Sequence, residues 1–505
     1  MNRILAVVSA FVAMAALAAG SAGAQPAAPK VKIESGALVG VAYENANVFR
    51  NIPFAAAPVG DLRWAPPQPV QPWTGDRLAA TQGVSCPQPM NANDTPNGGG
   101  ANGPTSEDCL QLNVFTPKAA KKAPVMVWIH GGSHRTGAGW VYDGQNFARD
   151  GVVVVTINYR LGALGYFAHP ALTKAAKPGE PVGNYGLMDQ IAALKWVQRN
   201  IAAFGGDPKN VTVFGESAGG MSTLALLATP AADGLYQKAI VESGLGWVQP
   251  KPLATKETEG VAMLEKAGLT GASAAELRAI PADKLVPMNG DYQPFVDGRL
   301  MTETASQALA RGKFPDVPLI IGSNSGEDSL MGPGPVGEPQ LSMVKTLMAG
   351  AYKADADKGE QVVARAVFTD RVMGGPARWV AAKASPGKPA YLYYFSYVGS
   401  RFRPAMTRAT HAAEIQYVFE YWGRRTPMSQ VSDEDKAMAT LMHACWVSFA
   451  KTSAPKCGSE AWPAYTPAKD QLMEFGASSG VRTNFRKTQL DSQEAFVLPT
   501  LALGK

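Results

Sequence analysis

The feature that most constrains the fold is the stretch Val-Thr-Val-Phe-Gly-Glu-Ser-Ala-Gly-Gly-Met-Ser at residues 211–222. Its first four residues are β-branched or aromatic, which predicts a buried strand, and a helix-like apolar run follows the glycines. Gly215 and Gly219 flank Ser217 and permit a turn tight enough to expose the serine hydroxyl. The pattern is typical of a nucleophile elbow. It places the N–H of Ala218 at a helix start, where unpaired donors favour developing negative charge.

The remaining chain alternates strand-like and helix-like segments, which favours an α/β fold. Continuous apolar runs are expected for parallel strands buried on both faces, and they predict strands at residues 125–130, 152–158, 239–243, 318–322 and 390–397. Helical periodicity or composition predicts helices at residues 189–204, 255–267, 273–280 and 433–451. We therefore expect a large, mostly parallel central sheet that is flanked by helices.

Three segments near the amino terminus have other patterns. Residues 30–43 alternate and contain two glycines, which predicts short antiparallel strands. Residues 49–73 are rich in proline, and we interpret them as a long ordered coil over the surface. Residues 90–104 are rich in Asn and Gly without an apolar pattern, which indicates a mobile loop.

Length and charge narrow the function classes. The 505 residues could form two or three domains, but no linker divides them, so we expect a single domain over residues 25–505. The net charge of +6 is modest and no long Lys/Arg run occurs, which argues against a nucleic-acid partner.

The amino terminus predicts export. Residues 1–24 combine a short basic start, an apolar core and a small-residue site of the A-x-A kind, which is typical of a secretory signal peptide. No other segment has 18 uninterrupted apolar residues, so we expect no membrane insertion. The mature protein is expected in the periplasm or outside the cell.

Four cysteines, Cys86, Cys109, Cys445 and Cys457, suit an oxidising compartment and suggest two disulfides. Three pairings are possible, and joining neighbours along the chain is the favoured one. No Cys-x-x-Cys spacing occurs, and we expect no metal site.

A serine nucleophile needs a base, and the chain has only five histidines. In a fold of this kind the order is Ser, then Asp or Glu, then His. His130, His134 and His169 precede the serine, and His443 lies in a helical pattern, which leaves His411. The residues after the strand at 318–322 offer two acids, Glu327 and Asp328, and spacing alone does not choose between them.

A glycine-rich turn follows the strand at residues 125–130, in the sequence His-Gly-Gly-Ser at 130–133. Loops of this kind supply backbone N–H groups to an oxyanion. The alternative is that these glycines only make a turn.

Taken together, the motifs resemble those of the type-B carboxylesterases, the cholinesterase-like branch of the α/β hydrolases. The resemblance extends from about Val31 to the last helix. Its signatures are residues 107–114, 130–132, 158–162, 184–190, 204–208 and 215–220.

The resemblance implies a role for individual residues. Ser217 matches the family's nucleophile and His411 its base. The family's acid lies in Gly-x-Asn-x-x-Glu, which Gly322, Asn324 and Glu327 match, so the resemblance selects Glu327 over Asp328. A family disulfide matches Cys86–Cys109, whereas Cys445–Cys457 has no clear counterpart.

The implied oxyanion-hole donors are the N–H groups of Gly132, Ser133 and Ala218. Ser133 stands where the family has a third glycine, and Asp328 stands where glycine is common after the acid. His134 replaces a frequent aromatic residue, and it either faces the substrate or hydrogen-bonds to the loop, which we favour.

The family's pocket walls come from loops and from helices added over the active-site gorge. By analogy the candidate pocket residues are His134, Glu216 and Trp247. The resemblance therefore implies a serine carboxylesterase that acts through an acyl-enzyme, without metal or organic cofactor, on a small-molecule ester. The alternatives are an amide or carbamate hydrolase with the same residues and a non-catalytic binding domain of the same fold.

Overall fold

The centre of the molecule, seen in a computed structural model, is a mixed sheet of eleven strands. The structure describes residues 28–503 except 92–94, 270–272, 339 and 423–425, so the expected signal peptide at 1–24 lies outside the described residues. The strands, in chain order, are β1 (Lys30–Ile33), β2 (Gly36–Val39), β3 (Val41–Ala42), β4 (Asn47–Pro53), β5 (Asp76–Leu78), β6 (Gln111–Thr116), β7 (Ala123–Ile129), β8 (Val153–Ile157), β9 (Gly206–Glu216), β10 (Lys238–Glu242), β11 (Leu319–Asn324), β12 (Ala390–Phe395), β13 (Lys456–Cys457), β14 (Glu460–Ala461), β15 (Gln471–Phe475) and β16 (Gly480–Thr483).

The central sheet has the strand order β16-β15-β12-β11-β10-β9-β7-β8-β6-β4-β3. Its middle, from β15 to β8, is parallel, whereas β16 and the strands β6, β4 and β3 pair antiparallel. The expectation of a mostly parallel sheet holds for this middle part, where the strands are the buried apolar runs of the sequence. Strands β1, β2 and β5 form a separate small sheet, and β13 pairs with β14.

Helices cover both faces of the sheet. They are α1 (Gln145–Arg149), α2 (Gly162–Tyr166), α3 (Pro170–Ala175), α4 (Tyr185–Asn200), α5 (Ala218–Leu227), α6 (Leu253–Lys266), α7 (Ala274–Ala279), α8 (Ala282–Leu285), α9 (Ala305–Ala310), α10 (Gln340–Ala349), α11 (Glu360–Thr369), α12 (Gly375–Ala384), α13 (Ile415–Val418), α14 (Asp433–Thr452) and α15 (Lys487–Val497). None of the helices in the described part is long and apolar enough to span a bilayer.

The alternation of side chains along β7 shows how the sheet separates two cores. Val125, Val127 and Ile129 enter one cluster, which also contains residues of α4, α5 and α12. Met126 and Trp128 enter the opposite cluster, with residues of α1, α13 and α14. Both faces of this strand are therefore buried, which explains its uninterrupted apolar sequence.

Most predicted elements are present, with shifted ends. The helix expected at 189–204 begins four residues earlier, at Tyr185, and its last turn is a 3₁₀ turn that stops at Gly205, where φ is +80°. The first strands pair antiparallel, as expected for residues 30–43. The described residues of the loop at 90–104 contain neither helix nor strand; residues 92–94 lie outside the described part.

The expectation of a surface coil at residues 49–73 is wrong for its first part. Strand β4 pairs with β6 inside the central sheet, and Phe49 and Ile52 are fully buried. The prolines that argued against a strand begin only at Pro53, the last residue of β4. Beyond this strand the segment is irregular, yet Trp64 is also buried and donates its indole N–H to the Ala163 carbonyl.

Two disulfides are present, Cys86–Cys109 and Cys445–Cys457, which is the pairing favoured from the sequence. The first closes the loop that contains residues 90–104. The second joins α14 to β13.

Candidate active site

Ser217 lies in a sharp turn between β9, which ends at Glu216, and α5, which begins at Ala218. Its φ of 56° and ψ of −122° are unfavourable for a residue with a side chain, so the surrounding structure must hold it. The N–H of Ser217 donates to the Glu242 carbonyl at 2.8 Å. Glycine is required at 215, because an added Cβ there would lie 2.6 Å from the Ile129 carbonyl oxygen.

Glu327 follows the carboxyl end of β11 and is completely buried. Its Oε1 accepts hydrogen bonds from the Asn324 N–H at 2.7 Å and from the Ser243 hydroxyl at 2.6 Å. Its Oε2 lies 2.5 Å from Nδ1 of His411. A carboxylate accepts, so Nδ1 carries the proton and Nε2 is directed elsewhere.

Nε2 of His411 lies at the elbow, 3.1 Å from Oε1 of Glu216, the residue before Ser217. The loops that carry His411 and Glu327 are joined directly, since the Gly326 N–H donates to the Ala409 carbonyl at 2.7 Å. The fold thus brings together three regions that are more than 80 residues apart in sequence. This arrangement leaves one imidazole nitrogen facing the elbow.

The electrostatics of His411 favour its charged form. Burial by itself lowers the pKa of the imidazole, but the carboxylates of Glu216 and Glu327 outweigh burial and raise it to about 10. Two further buried acids lie nearby. Burial, together with the charges of Glu216 and Glu327, raises the pKa of Glu414 to about 8. Burial and the neighbouring Glu414 raise the pKa of Glu242 well above its ordinary value.

The glycine-rich loop passes directly over the elbow. A Cβ added at Gly131 would lie 3.1 Å from the Cβ of Ser217. The loop then turns sharply through Gly132, with a φ of 101°, and Ser133, with a φ of 56°. Among the hydrogen bonds of the described residues, none uses the N–H of Gly132, Ser133 or Ala218 as donor. These three groups are the oxyanion donors that the family resemblance implies.

Two cavities adjoin this centre. The larger, about 460 Å³, contacts the glycine-rich loop and Glu216; its aromatic lining residues are Trp140, Tyr142, Phe419 and Tyr421. The smaller, about 400 Å³, contacts His411; its aromatic lining residues are Tyr397, Phe402 and Tyr417. The larger cavity reaches the elbow through Glu216, and the smaller one reaches the imidazole of His411.

Of the three pocket residues nominated from the sequence, Glu216 lines the larger cavity. Trp247 packs its ring against Gly375 of α12 and is not among the lining residues of either cavity, and neither is His134. The imidazole of His134 is buried, with Nδ1 3.0 Å from the Tyr292 carbonyl oxygen and Nε2 3.0 Å from the Ser222 hydroxyl.

Asp328 has different partners from Glu327. Arg408 donates to its Oδ2 at 2.9 Å and Arg365 at 3.2 Å. The side chain therefore belongs to an ion pair with two arginines, while Glu327 alone of the two acids bonds to His411.

Ser243, Asn324 and Glu414 were not recognised as site residues from the sequence. Ser243 and Asn324 hold Oε1 of Glu327, and the Asn324 amide also donates to Glu414. The available signal was a polar side chain at the carboxyl end of an apolar strand, since loops at those ends meet at one edge of a parallel sheet.

The remaining histidines, His130, His169 and His443, make packing and capping contacts. His130 stacks on Tyr159 with ring centroids 4.4 Å apart, and His169 caps the amino terminus of α3. His443, expected as a core or helix-face residue, is buried on α14, and its Nδ1 lies 2.7 Å from the Val418 carbonyl oxygen.

Among the described residues, His443, Asp150 and Glu420 are close enough to share a metal ion, with ligand atoms within 4.8 Å of one another. Arg149 already occupies this position, because its guanidinium lies 2.6 Å from a carboxylate oxygen of each acid. The group is therefore an ion-pair cluster in which arginine supplies the positive charge.

Comparison with known proteins identifies the family of the chain. Residues 27–493 match the model of the carboxylesterase family. The chain is 37% identical to a fumonisin B1 esterase of Sphingopyxis macrogoltabida, over 88% of this chain and 86% of that one. It is 35% identical to a para-nitrobenzyl esterase of Bacillus subtilis, over 86% and 92% of the two chains.

Solved structures give the same result for the fold. A PNB esterase superposes with a TM-score of 0.78 at 32% identity, covering 91% of this chain and 99% of that one. A carboxylesterase of Geobacillus stearothermophilus gives a TM-score of 0.75 at 32% identity, over 92% and 99%. The chain therefore belongs to the carboxylesterase family, has the α/β-hydrolase fold and is a carboxylic ester hydrolase.

Proposed function

We propose that Ser217, His411 and Glu327 are the catalytic residues of a serine carboxylesterase. Ser217 Oγ attacks the ester carbonyl while Nε2 of His411 accepts its proton, and Glu327 stabilises the imidazolium. His411 then protonates the leaving alcohol and an acyl-enzyme remains. Water, deprotonated by the same imidazole, releases the acid and restores the serine.

The negative charge of each tetrahedral intermediate is assigned to the N–H groups of Gly132, Ser133 and Ala218. Backbone donors are suited to this task because their positions are fixed before the reaction begins. Ser133 can replace a glycine here, since its backbone rather than its side chain is used. This assignment is supported by the hydrogen bonds of the described part of the chain, in which none of the three N–H groups donates to another acceptor.

The observation that carries the proposal is the 2.5 Å contact between Nδ1 of His411 and Glu327. This contact favours the tautomer whose proton is on Nδ1. In the neutral imidazole, Nε2 is then unprotonated, and it is the nitrogen that faces the elbow. A general base needs that nitrogen unprotonated.

The test is covalent labelling with a fluorescent fluorophosphonate, together with hydrolysis of para-nitrophenyl acetate. Ser217→Ala should lose both the label and the hydrolysis, with an unchanged circular dichroism spectrum. Ser478→Ala, a change of an exposed serine, is the matched control and should retain both. Labelling of Ser217→Ala would refute the assignment, and a wild-type protein that takes no label would favour a non-catalytic binding domain.

For the substrate, we propose an uncharged ester with an aromatic or bulky apolar group. The support is the aromatic lining of both cavities. Two arginines that could attract an acidic ester have other partners: Arg403 is paired with Glu434 at 2.6 Å, and Arg135 lies over the ring of Tyr292. A series of para-nitrobenzyl, alkyl and succinyl esters should give the highest kcat/KM for the first, and a preference for the succinyl ester would contradict this.

We also propose that the protein is exported. The support is the leader-like sequence at residues 1–24 and the two disulfides, which persist in oxidising compartments. Mass spectrometry of the mature amino terminus should find cleavage after Ala24, and a protein that retains Met1 in the cytoplasm would contradict it.

A further inference from the structure

The glycine-rich loop contains two consecutive residues in a strained backbone conformation. Ser133 has a φ of 56° and His134 a φ of 52°, a region that residues with a Cβ seldom adopt. Such a conformation persists only where neighbouring contacts hold it. The loop also carries two of the three N–H groups assigned to the oxyanion, so whatever holds it also sets the position of these donors.

His134 makes contacts that can hold the loop. Its Nδ1 lies 3.0 Å from the carbonyl oxygen of Tyr292, and its Nε2 lies 3.0 Å from the hydroxyl of Ser222. A carbonyl oxygen only accepts, so Nδ1 is the protonated nitrogen and Nε2 accepts from Ser222. The amide of Gln190 in turn donates to Ser222 Oγ at 3.0 Å. The direction of every bond in this chain is therefore defined.

The imidazole keeps this tautomer over the working range of an esterase. His134 is buried, and burial lowers its pKa to about 4, so the ring is neutral at neutral pH. The ring of Tyr166 packs against it with centroids 4.8 Å apart. The backbone carbonyl of His134 also accepts from the Gly162 N–H at 2.7 Å.

The contact with Ser222 connects the two halves of the proposed oxyanion hole. Ser222 lies on α5, the helix that begins with Ala218 directly after Ser217. His134 follows Ser133 on the opposite loop. The hydrogen bond from Ser222 thus fixes the distance between the donors of the loop and the donor of the helix.

We propose that His134 is a positioning residue for ester hydrolysis, which holds the N–H groups of Gly132 and Ser133 in register with that of Ala218. The proposal rests on the proposed function. In this role the side chain does not touch substrate. Its hydrogen bonds hold the loop backbone, and the loop backbone carries the N–H groups that bind the oxyanion. Correct placement of these N–H groups stabilises the transition state more than the bound ester, because negative charge on the carbonyl oxygen develops only in the transition state.

The test uses His134→Phe, which keeps a planar ring and removes both hydrogen bonds, and Ser222→Ala, which removes the donor. Each should lower kcat about 10- to 100-fold with little change in KM, somewhat less than loss of an oxyanion donor itself. Affinity for an aryl trifluoromethyl ketone, which forms a tetrahedral adduct with the serine, should fall by the same factor as kcat/KM. Affinity for the corresponding aryl alcohol should not change.

A double-mutant cycle separates positioning from independent defects. Ser222→Ala should add little in the His134→Phe background, because the same bond has already been lost. His443→Phe is the matched control, since it also removes the bonds of a buried histidine, and it should lower stability without changing the affinity for the ketone. All rates are divided by the concentration of active sites, which is measured by titrating the serine with fluorophosphonate.

The outcomes are distinguishable from failure of the proposed function. If the wild-type protein takes no label at Ser217, the proposed function itself fails. If the wild-type protein is labelled but His134→Phe and Ser222→Ala retain kcat and ketone affinity, the esterase assignment stands and the positioning role is overturned. Independent, multiplicative effects of the two substitutions would overturn it as well.

Discussion

At the scale of single residues, the site concentrates acidic side chains around one imidazole. Glu327 bonds to Nδ1 of His411, and Glu216 lies 3.1 Å from Nε2. The two carboxylates have different consequences. Glu327 defines the tautomer and orientation of the ring, whereas Glu216 stabilises a proton on the nitrogen that must be free to act as base.

Glu216→Gln should therefore move the acid limb of kcat/KM to lower pH. The base is active when neutral, and the two carboxylates raise the pKa of His411 above the ordinary 6.5, so wild-type activity should still be rising above pH 7. Removal of one negative charge lowers that pKa by about one unit or more. The measurement is kcat/KM from pH 5 to 10, and a limb that stays in place or moves to higher pH would show that Glu216 does not control His411.

At the scale of elements, the elbow depends on the close approach of α5 to β7. A Cβ added at Gly219, in the first turn of α5, would overlap the carbonyl oxygen of Ile129. Glycine in a helix ordinarily costs about 1 kcal/mol relative to alanine. Its presence here is explained by packing rather than by helix propensity.

Gly219→Ala should accordingly destabilise the protein by about 1–3 kcal/mol, the range for overpacking, instead of stabilising it. Because the shift of α5 also moves Ser217 and Ala218, kcat should fall as well. Gly337→Ala, at an exposed position with open space around the added Cβ, is the matched control and should leave both values unchanged. Denaturant unfolding and kcat measure the two effects, and equal stability of Gly219→Ala and wild type would contradict the packing argument.

At the scale of the whole molecule, acidic side chains from separate elements lie close together near the carboxyl ends of the parallel strands. Glu242 ends β10 and accepts from the indole of Trp446 on α14 at 2.8 Å, across the sheet from α5. Glu414 precedes α13 and bonds to Asn324 at the end of β11. Folding thus removes carboxyl groups from water, which favours their protonated form.

This burial makes stability depend on pH. The pKa of Glu414 is about 8 in the folded protein against an ordinary value of 4.5, so its contribution to stability is complete below pH 4.5 and is lost as pH rises to 8. Glu414→Gln keeps an acceptor for Asn324 without the ionisation. It should raise Tm at pH 8 by a few degrees relative to wild type and leave it nearly unchanged at pH 4, as measured by calorimetry. An equal change at both pH values would show that Glu414 does not ionise on unfolding.

The sequence by itself determined which residues are available and what local structure they form. Apolar runs predicted β7 and β8, and the glycines around Ser217 predicted the elbow, because burial pattern and turn chemistry are local properties of the chain. The prediction failed for β4, where two patterns meet in one segment. The apolar residues Phe49 and Ile52 favour a strand, but the prolines that follow led to the prediction of coil for the whole segment.

Only the tertiary structure decided which side chains meet. Glu327 and Asp328 are adjacent and chemically alike, and spacing alone did not separate them; the family resemblance selected Glu327, but only the fold shows that Glu327 bonds to His411 while Asp328 pairs with two arginines. In the same way, the burial of His134 and its bond to Ser222 depend on a helix 88 residues away. Hydrogen-bond partners and pKa shifts depend on neighbours in space, and these neighbours are set by the packing of the sheet and its helices.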